Sequence, residues 1–214
     1  MKITALSAQV RNPDRVNISI DGVYRLSLDI SQITDLGVKV GRELDESELT
    51  ELETESKFGK VYGRALEYSL SRPHSVREMR DYLYRKTRAQ KYKTRQGEIK
   101  EHEGYSPALA DRVLEKLQHK RYVDDEQFAR WWIENRNQTK GTSLRKLTAE
   151  LRAKGVASDI IEQAMGDSAR TDENELTKII AKKRMKYADD QKLMQYLARQ
   201  GFGYDDIKAA LANE

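Results

Sequence analysis

Cysteine is absent from the 214-residue chain, which excludes disulfides and thiolate metal sites. Only three histidines occur, His74, His102 and His119, and they are scattered, so imidazole metal sites and Ser-His-Asp or Cys-His catalytic sets have no companions to draw on. No apolar run approaches the roughly 18 residues that a membrane helix needs. The N-terminal stretch MKITALSAQVRNPDRV lacks the apolar centre of a signal peptide, and the cytoplasm is the expected compartment. With no acid, base, nucleophile or ligand constellation, the reading is of a non-enzyme without a cofactor.

Charge is abundant, at 35% of residues, and it is unevenly placed. Residues 1–56 hold 6 Lys/Arg against 11 Asp/Glu, while residues 57–214 hold 33 against 24. The first part is acidic and the second basic, so different partners are expected for each.

The acidic part reads as strands. Ile3 to Val10 and Arg15 to Ile20 alternate apolar and polar residues around a turn at Asn12-Pro13-Asp14. Asp21-Gly22 then joins the second run to Val23–Ile30, a strong hairpin signal. A three-stranded antiparallel sheet is expected, followed by short helices over residues 30–36 and 45–55.

From Phe58 the apolar period becomes helical and predicts nine helices. Placing LRKLTAELRAKGVASDIIEQAM over DQKLMQYLARQGFGYDDIKAAL at a shift of 46 matches Leu147 with Leu193, Leu151 with Leu197, Gly155 with Gly201 and Ile161 with Ile207. The preceding block fits the same template once about 17 residues, Thr87 to Glu103, are set aside as an insertion, which matches Gly104 to Gly155. Gly104, Gly155 and Gly201 are read as helix caps. The expected architecture is mainly α: an acidic α+β module (1–56), then three tandem three-helix repeats (57–120 with the insertion at 87–103, 121–168 and 169–214) forming an elongated, curved array.

One tetrapeptide, Tyr122-Val123-Asp124-Asp125, looks like the metal-binding box of reverse transcriptases. Two-metal catalysis needs paired aspartates on a strand turn with a third carboxylate nearby. Here a helical pattern follows, and capping explains the residues: Asp124 as N-cap, Gln127 returning to it as a capping box, and Val123 and Phe128 as a hydrophobic staple. Gly201-Phe202-Gly203 follows a helix and is too short for a phosphate loop.

The basic residues cluster. Arg72, Arg77, Arg80, Arg85, Lys86, Arg88, Lys91, Lys93 and Arg95 lie in the first helical block and its insertion, with Tyr92 between lysines. The insertion reads either as a β-hairpin turning at Gln96-Gly97 with its arms paired by charge, or as a solvated loop. As a hairpin it is a basic arm for DNA phosphates with Tyr92 free to stack. Lys182, Lys183 and Arg184 form a second cluster that also suits a helix C-terminus. Trp132 keeps the core period with Phe128, whereas Trp131 is turned by about 100° and is a weaker candidate for a partner anchor.

The stretches LEYSLSRPHSVREMRDYL, KRYVDDEQFARWWIENR, GTSLRKLTAELRAKGV and LMQYLARQGFGYDDIKAAL, in this order and spacing, resemble the RecX family of bacterial regulatory proteins over residues 58–214. The acidic module resembles the extension that some members carry, and the insertion stands where the family usually has a short turn. The resemblance implies a non-enzymatic modulator that lodges in the groove of the RecA–DNA filament and alters its assembly, strand exchange and coprotease activity. The expected partners are RecA and single- or double-stranded DNA, and a monomer is expected because one chain has enough helices to bury its own faces. A plain DNA-binding helical repeat that acts without a recombinase is the rival reading.

Overall fold

The computed structural model describes residues 1–10 and 12–213, the side chains of Gln90 and His102 excepted. It divides into two compact units: residues 1–68 with 82–116, and residues 69–81 with everything from Leu117 onward.

In the first unit, β1 (Ile3–Ala8), β2 (Arg15–Ile20) and β3 (Val23–Asp29) form an antiparallel meander in the order β1-β2-β3. Asp21 and Gly22 both take positive φ (47° and 80°), the two-residue turn whose twist matches that of the strands it joins. One face of the sheet buries Ile3, Ile18, Ile20, Leu26 and Leu28 with Val38, Leu44, Leu49 and Leu52. Helix α1 (Ile30–Asp35) follows, capped by a reciprocal pair in which Asp29 and Gln32 satisfy each other's backbone.

The helix expected to end at residue 55 does not end there: α2 is one helix, Glu46–Ser71, which runs across the expected module boundary. Its inward stripe passes through Ser56, which is buried and donates its hydroxyl to the carbonyl of Ser27 in the sheet at 2.7 Å. A polar residue at a buried position hid the continuity. Leu70 keeps the helical period of Tyr62 and Leu66 but is exposed at the end of α2.

Next come α3 (Val76–Thr87), β4 (Gln90–Lys93), β5 (Ile99–His102) and α4 (Pro107–His119). The insertion is an antiparallel hairpin with Lys91 opposite Glu101, Tyr92 opposite Lys100 and Lys93 opposite Ile99. Only the first of these pairs sets opposite charges across the ladder, and no ion pair closes it among the described residues, so the expected charge pairing of the arms is not found. Gly104 is no helix cap. It follows β5 without a left-handed φ, and a Cβ there would lie 1.8 Å from the Thr87 carbonyl oxygen. The residue is glycine because the two ends of the insertion meet, as the bond from Tyr105 N to Lys86 O (3.0 Å) also records.

The second unit holds two three-helix repeats: α5 (Asp125–Asn135), α6 (Leu144–Ala153) and α7 (Ser158–Gly166), then α8 (Asp172–Lys183), α9 (Asp190–Arg199) and α10 (Tyr204–Ala212). Each has its own core, Phe128, Ala129, Ile133, Leu151, Val156, Ile161 and Ala164 in one, and Leu176, Ile179, Ile180, Leu193, Leu197, Phe202 and Ile207 in the other. Gly155 and Gly201 close α6 and α9 with φ of 84° and 94°, as their alignment predicts. Among the described residues no helix is long and apolar enough to cross a membrane.

Candidate nucleic-acid interface and repeat junctions

The first unit presents a face where cations and tyrosines alternate. On the last turns of α3, Tyr82 stacks on Tyr68 of α2 with ring centres 4.4 Å apart, while Arg85 and Lys86 lie over the Tyr82 ring at 5.9 and 5.1 Å. Burial pushes the Tyr82 hydroxyl above its ordinary pKa. Tyr84, one residue pair along, is exposed and carries the Arg88 guanidinium at 4.9 Å from its ring centre. The hydrogen bond from Arg88 holds the Tyr84 hydroxyl below the usual range. The hairpin follows α3 in the chain. Lys91, Tyr92, Lys93 and Arg95 are all exposed, and the three cations have no ion pair among the described residues. The hairpin, with three cations that need not be released from internal partners and an exposed Tyr92 ring, has the chemistry for a nucleic-acid backbone.

The second unit uses its basic residues differently. Arg72 grips Glu78 through both guanidinium nitrogens (3.0 and 3.2 Å) and lies 5.4 Å from the ring centre of Trp131. Lys154 reaches the same Glu78 at 2.6 Å. Burial alone would raise the Glu78 carboxyl, but the Arg72 and Lys154 hydrogen bonds outweigh it and hold the pKa down to about 2. The side-chain carbons of Arg77 pack over Gly155, where a Cβ would come within 2.9 Å of them. Arg80 is exposed and close enough to stabilise the Asp125 carboxylate. Lys182 donates to the Thr139 carbonyl, Lys183 lies over Tyr196 at 5.8 Å, and Arg184 pairs with Asp190. Trp131 is half-buried against the core of its repeat. Trp132, expected in the core, is half-buried too, with its indole N–H donating to Glu150 and its ring beneath Arg136 and Lys154.

The aspartate pair has a structural assignment. Asp124 caps α5 by accepting from the amides of Glu126 (2.9 Å) and Gln127 (3.1 Å). The expected return bond from the Gln127 side chain is not formed, so the motif is a simple cap. Val123 and Phe128 are both buried. Asp125 instead accepts from the amide of Val76, at the first turn of α3, at 2.8 Å. Burial raises its pKa, opposed by that bond. Among the described residues no group of three His, Cys, Asp or Glu is placed to hold a metal.

That bond belongs to a joint which sequence reasoning missed. Ser75 Oγ accepts from Glu78 N and donates to the Lys154 carbonyl. One repeat later Ser143 Oγ accepts from Lys146 N and donates to the Gln200 carbonyl, and Leu144 N donates to Asp172 at 2.8 Å. The signal was available: HSVREM (74–79) and TSLRKL (142–147) align at a shift of 68, which also places Met79 on Leu147.

Three family models match the chain: the RecX N-terminal domain over residues 1–45, the RecX second three-helix domain over 124–165 and the RecX third three-helix domain over 172–211. The protein called regulatory protein RecX in Bacillus pumilus (strain SAFR-032) is 30% identical over 216 residues, covering 98% of this chain and 76% of its own length. Its namesake in Clostridium tetani (strain Massachusetts / E88) is 26% identical, covering 98% and 93%. A crystal structure of regulatory protein RecX superposes with a TM-score of 0.74 at 21% identity, covering 99% of this chain and 98% of that one. That likeness carries the fold.

Proposed function

The chain belongs to the RecX family of regulatory proteins, and from that premise we propose that it binds the filament of the RecA recombinase on DNA and lowers RecA's recombinase, ATPase and coprotease activities. It acts as a cytoplasmic monomer without chemistry of its own, through an acidic module (1–56) and three helical repeats (57–120, 121–168 and 169–214). The observation that carries the DNA half of this reading is the run of uncommitted, exposed cations on the hairpin, Lys91, Lys93 and Arg95. The residues Arg72, Arg77, Lys182, Lys183 and Arg184 contribute charge to the field at the surface while holding their own repeats together, so their part in binding is secondary. Asp124, Gly155 and Gly201 act only by holding the helices that carry the surface.

RecA's DNA-dependent ATP hydrolysis on single-stranded DNA provides the test. Added well below one copy per RecA, the protein is expected to inhibit, because one copy in a filament acts on many subunits. A variant with Lys91, Lys93 and Arg95 changed to Gln is expected to need several times more protein. DNA binding without any effect on RecA at any ratio would sink the proposal and leave a DNA-binding repeat protein that acts without a recombinase.

A further inference from the structure

In the first unit, a cleft of about 610 Å³ opens between the sheet and α2. Its walls are built from Asn12, Arg15, Tyr24, Lys60, Gly63 and Arg64, among others. Volumes of this order are those of small-molecule sites. Three independent features converge on it.

The first is charge. Lys60 is half-buried in the cleft wall and has no ion pair or hydrogen bond among the described residues. Burial lowers its pKa, and every charged neighbour that shifts it further, Arg15, Arg64 and Lys57, is another cation. The nearby carboxylate of Asp29 is already neutralised by Arg15 at 2.7 Å, and no ion pair joins Asp14 or Glu67 of the cleft lining to Lys60 among the described residues. An ammonium in this position lacks a counter-ion.

The second is a missing side chain. Gly59 and Gly63 lie one turn apart on α2. A Cβ on Gly59 would meet Gln32 Oε1 at 2.5 Å, so packing explains it. A Cβ on Gly63 would meet nothing within 4 Å. Glycine in a helix interior is costly relative to alanine, and no protein group requires it here. The bare backbone keeps the cleft open.

The third is an aromatic ring brought to the cleft by a strand irregularity. Ser19 pairs with Tyr24 and Ile18 with Leu26, leaving Arg25 as the extra residue of a bulge. The bulge shifts the alternation of β3, so that Tyr24 lines the same cleft as Ser27 and Asp29. Tyr24 is 54% exposed there.

We infer that this cleft binds a nucleoside phosphate, its phosphate on Lys60 and Arg64 over the bare backbone at Gly63 and its base against Tyr24. Charge-assisted bonds to phosphate account for an unpaired Lys60, and base stacking accounts for an exposed tyrosine held at the mouth. The same chemistry is offered by a free nucleotide and by the 5′-phosphorylated end of a DNA strand.

The experiment is a titration of the full chain followed through its backbone amide resonances, with ADP, with pyrophosphate, and with one short oligonucleotide carrying either a 5′-phosphate or a 5′-hydroxyl. Expected are saturable shifts at the Gly59 and Gly63 amides with ADP or with the phosphorylated oligonucleotide alone, whichever is the natural source. Lys60→Met and Gly63→Leu are expected to weaken that binding by about tenfold or more, and Lys60→Arg to retain it. Thermal melts of each variant separate loss of binding from loss of fold. Absence of shifts at Gly63 with every phosphate probe, or equal binding by the melt-competent Lys60→Met and Gly63→Leu variants, would overturn the site. Pyrophosphate binding as tightly as ADP would overturn the nucleoside assignment.

Discussion

The hydroxyl of Ser75 donates to the carbonyl of Lys154 at 2.8 Å, across 79 residues of sequence, and Ser143 makes the same bond to Gln200 at 2.7 Å. Both serines are fully buried. Each caps its own helix and satisfies the last carbonyl of a helix in the next repeat, so a single hydroxyl ends one helix and begins the next packing contact. The adjoining amides, Val76 and Leu144, are taken up by Asp125 and Asp172. The joint is thus specified by polar groups that water cannot replace once it closes.

Replacing either serine with alanine removes a cap and leaves a buried carbonyl without its donor. We expect Ser75→Ala and Ser143→Ala each to cost about 1–3 kcal/mol in urea unfolding, by cap and hydrogen-bond magnitudes. The two losses should add in the double variant, since the joints share no residue. A cost at one joint and none at the other would show that the likeness of the two is only geometric.

Three glycines separate conformation from space. Gly155 and Gly201 have positive φ, and a Cβ on them would strike Arg77 and Ser143 at 2.9 and 2.8 Å. Gly155→Ala and Gly201→Ala are expected to destabilise by 1 kcal/mol or more, roughly, because strain and contact add. Gly63→Ala is expected to do the opposite, stabilising by about 0.5–1 kcal/mol through helix propensity. Melting temperatures of the three variants check the order.

Glu78 sets an acid limb. Its folded pKa of about 2 lies below the 4.5 of the free side chain. A depressed carboxylate contributes stability that is present above the unfolded value and lost as pH falls from about 4.5 toward 2. The shift corresponds to on the order of 2–3 kcal/mol at neutral pH, for a side chain only 12% exposed. In Glu78→Gln the protein should be less stable at pH 7, and its stability should fall less steeply between pH 5 and pH 2. An unchanged slope would mean that Arg72 and Lys154 contribute nothing net.

Much of this was legible in residue spacing. The Asp21-Gly22 hairpin, the repeat shift of 46 and the caps at Gly155 and Gly201 follow from local conformational rules that tertiary structure had no reason to override. What failed involved groups satisfied at a distance. The helix expected over 45–55 was cut short because the inward position after it is Ser56, whose acceptor, Ser27, lies 29 residues away in the sheet. Gly104 looked like a cap because the repeat alignment carried no record that Thr87 meets it. Among the candidate binding residues, charge alone did not separate Arg72, held by Glu78, from Lys91, which faces solvent.

That last distinction yields a quantitative expectation for DNA. A cation already paired within the fold releases few counter-ions from DNA when it binds, whereas an unpaired one contributes its full share. For single strands each phosphate neutralised adds about 0.7 to the slope of log affinity against log salt. Changing Lys91, Lys93 and Arg95 to Gln should therefore lower the slope by about 2, while the same change at Lys182, Lys183 and Arg184 should lower it by much less. Fluorescence anisotropy on an oligothymidine at several salt concentrations measures both. Equal slopes for the two variants would move the nucleic-acid contact away from the hairpin, and a steeper loss in the second would place it on the third repeat.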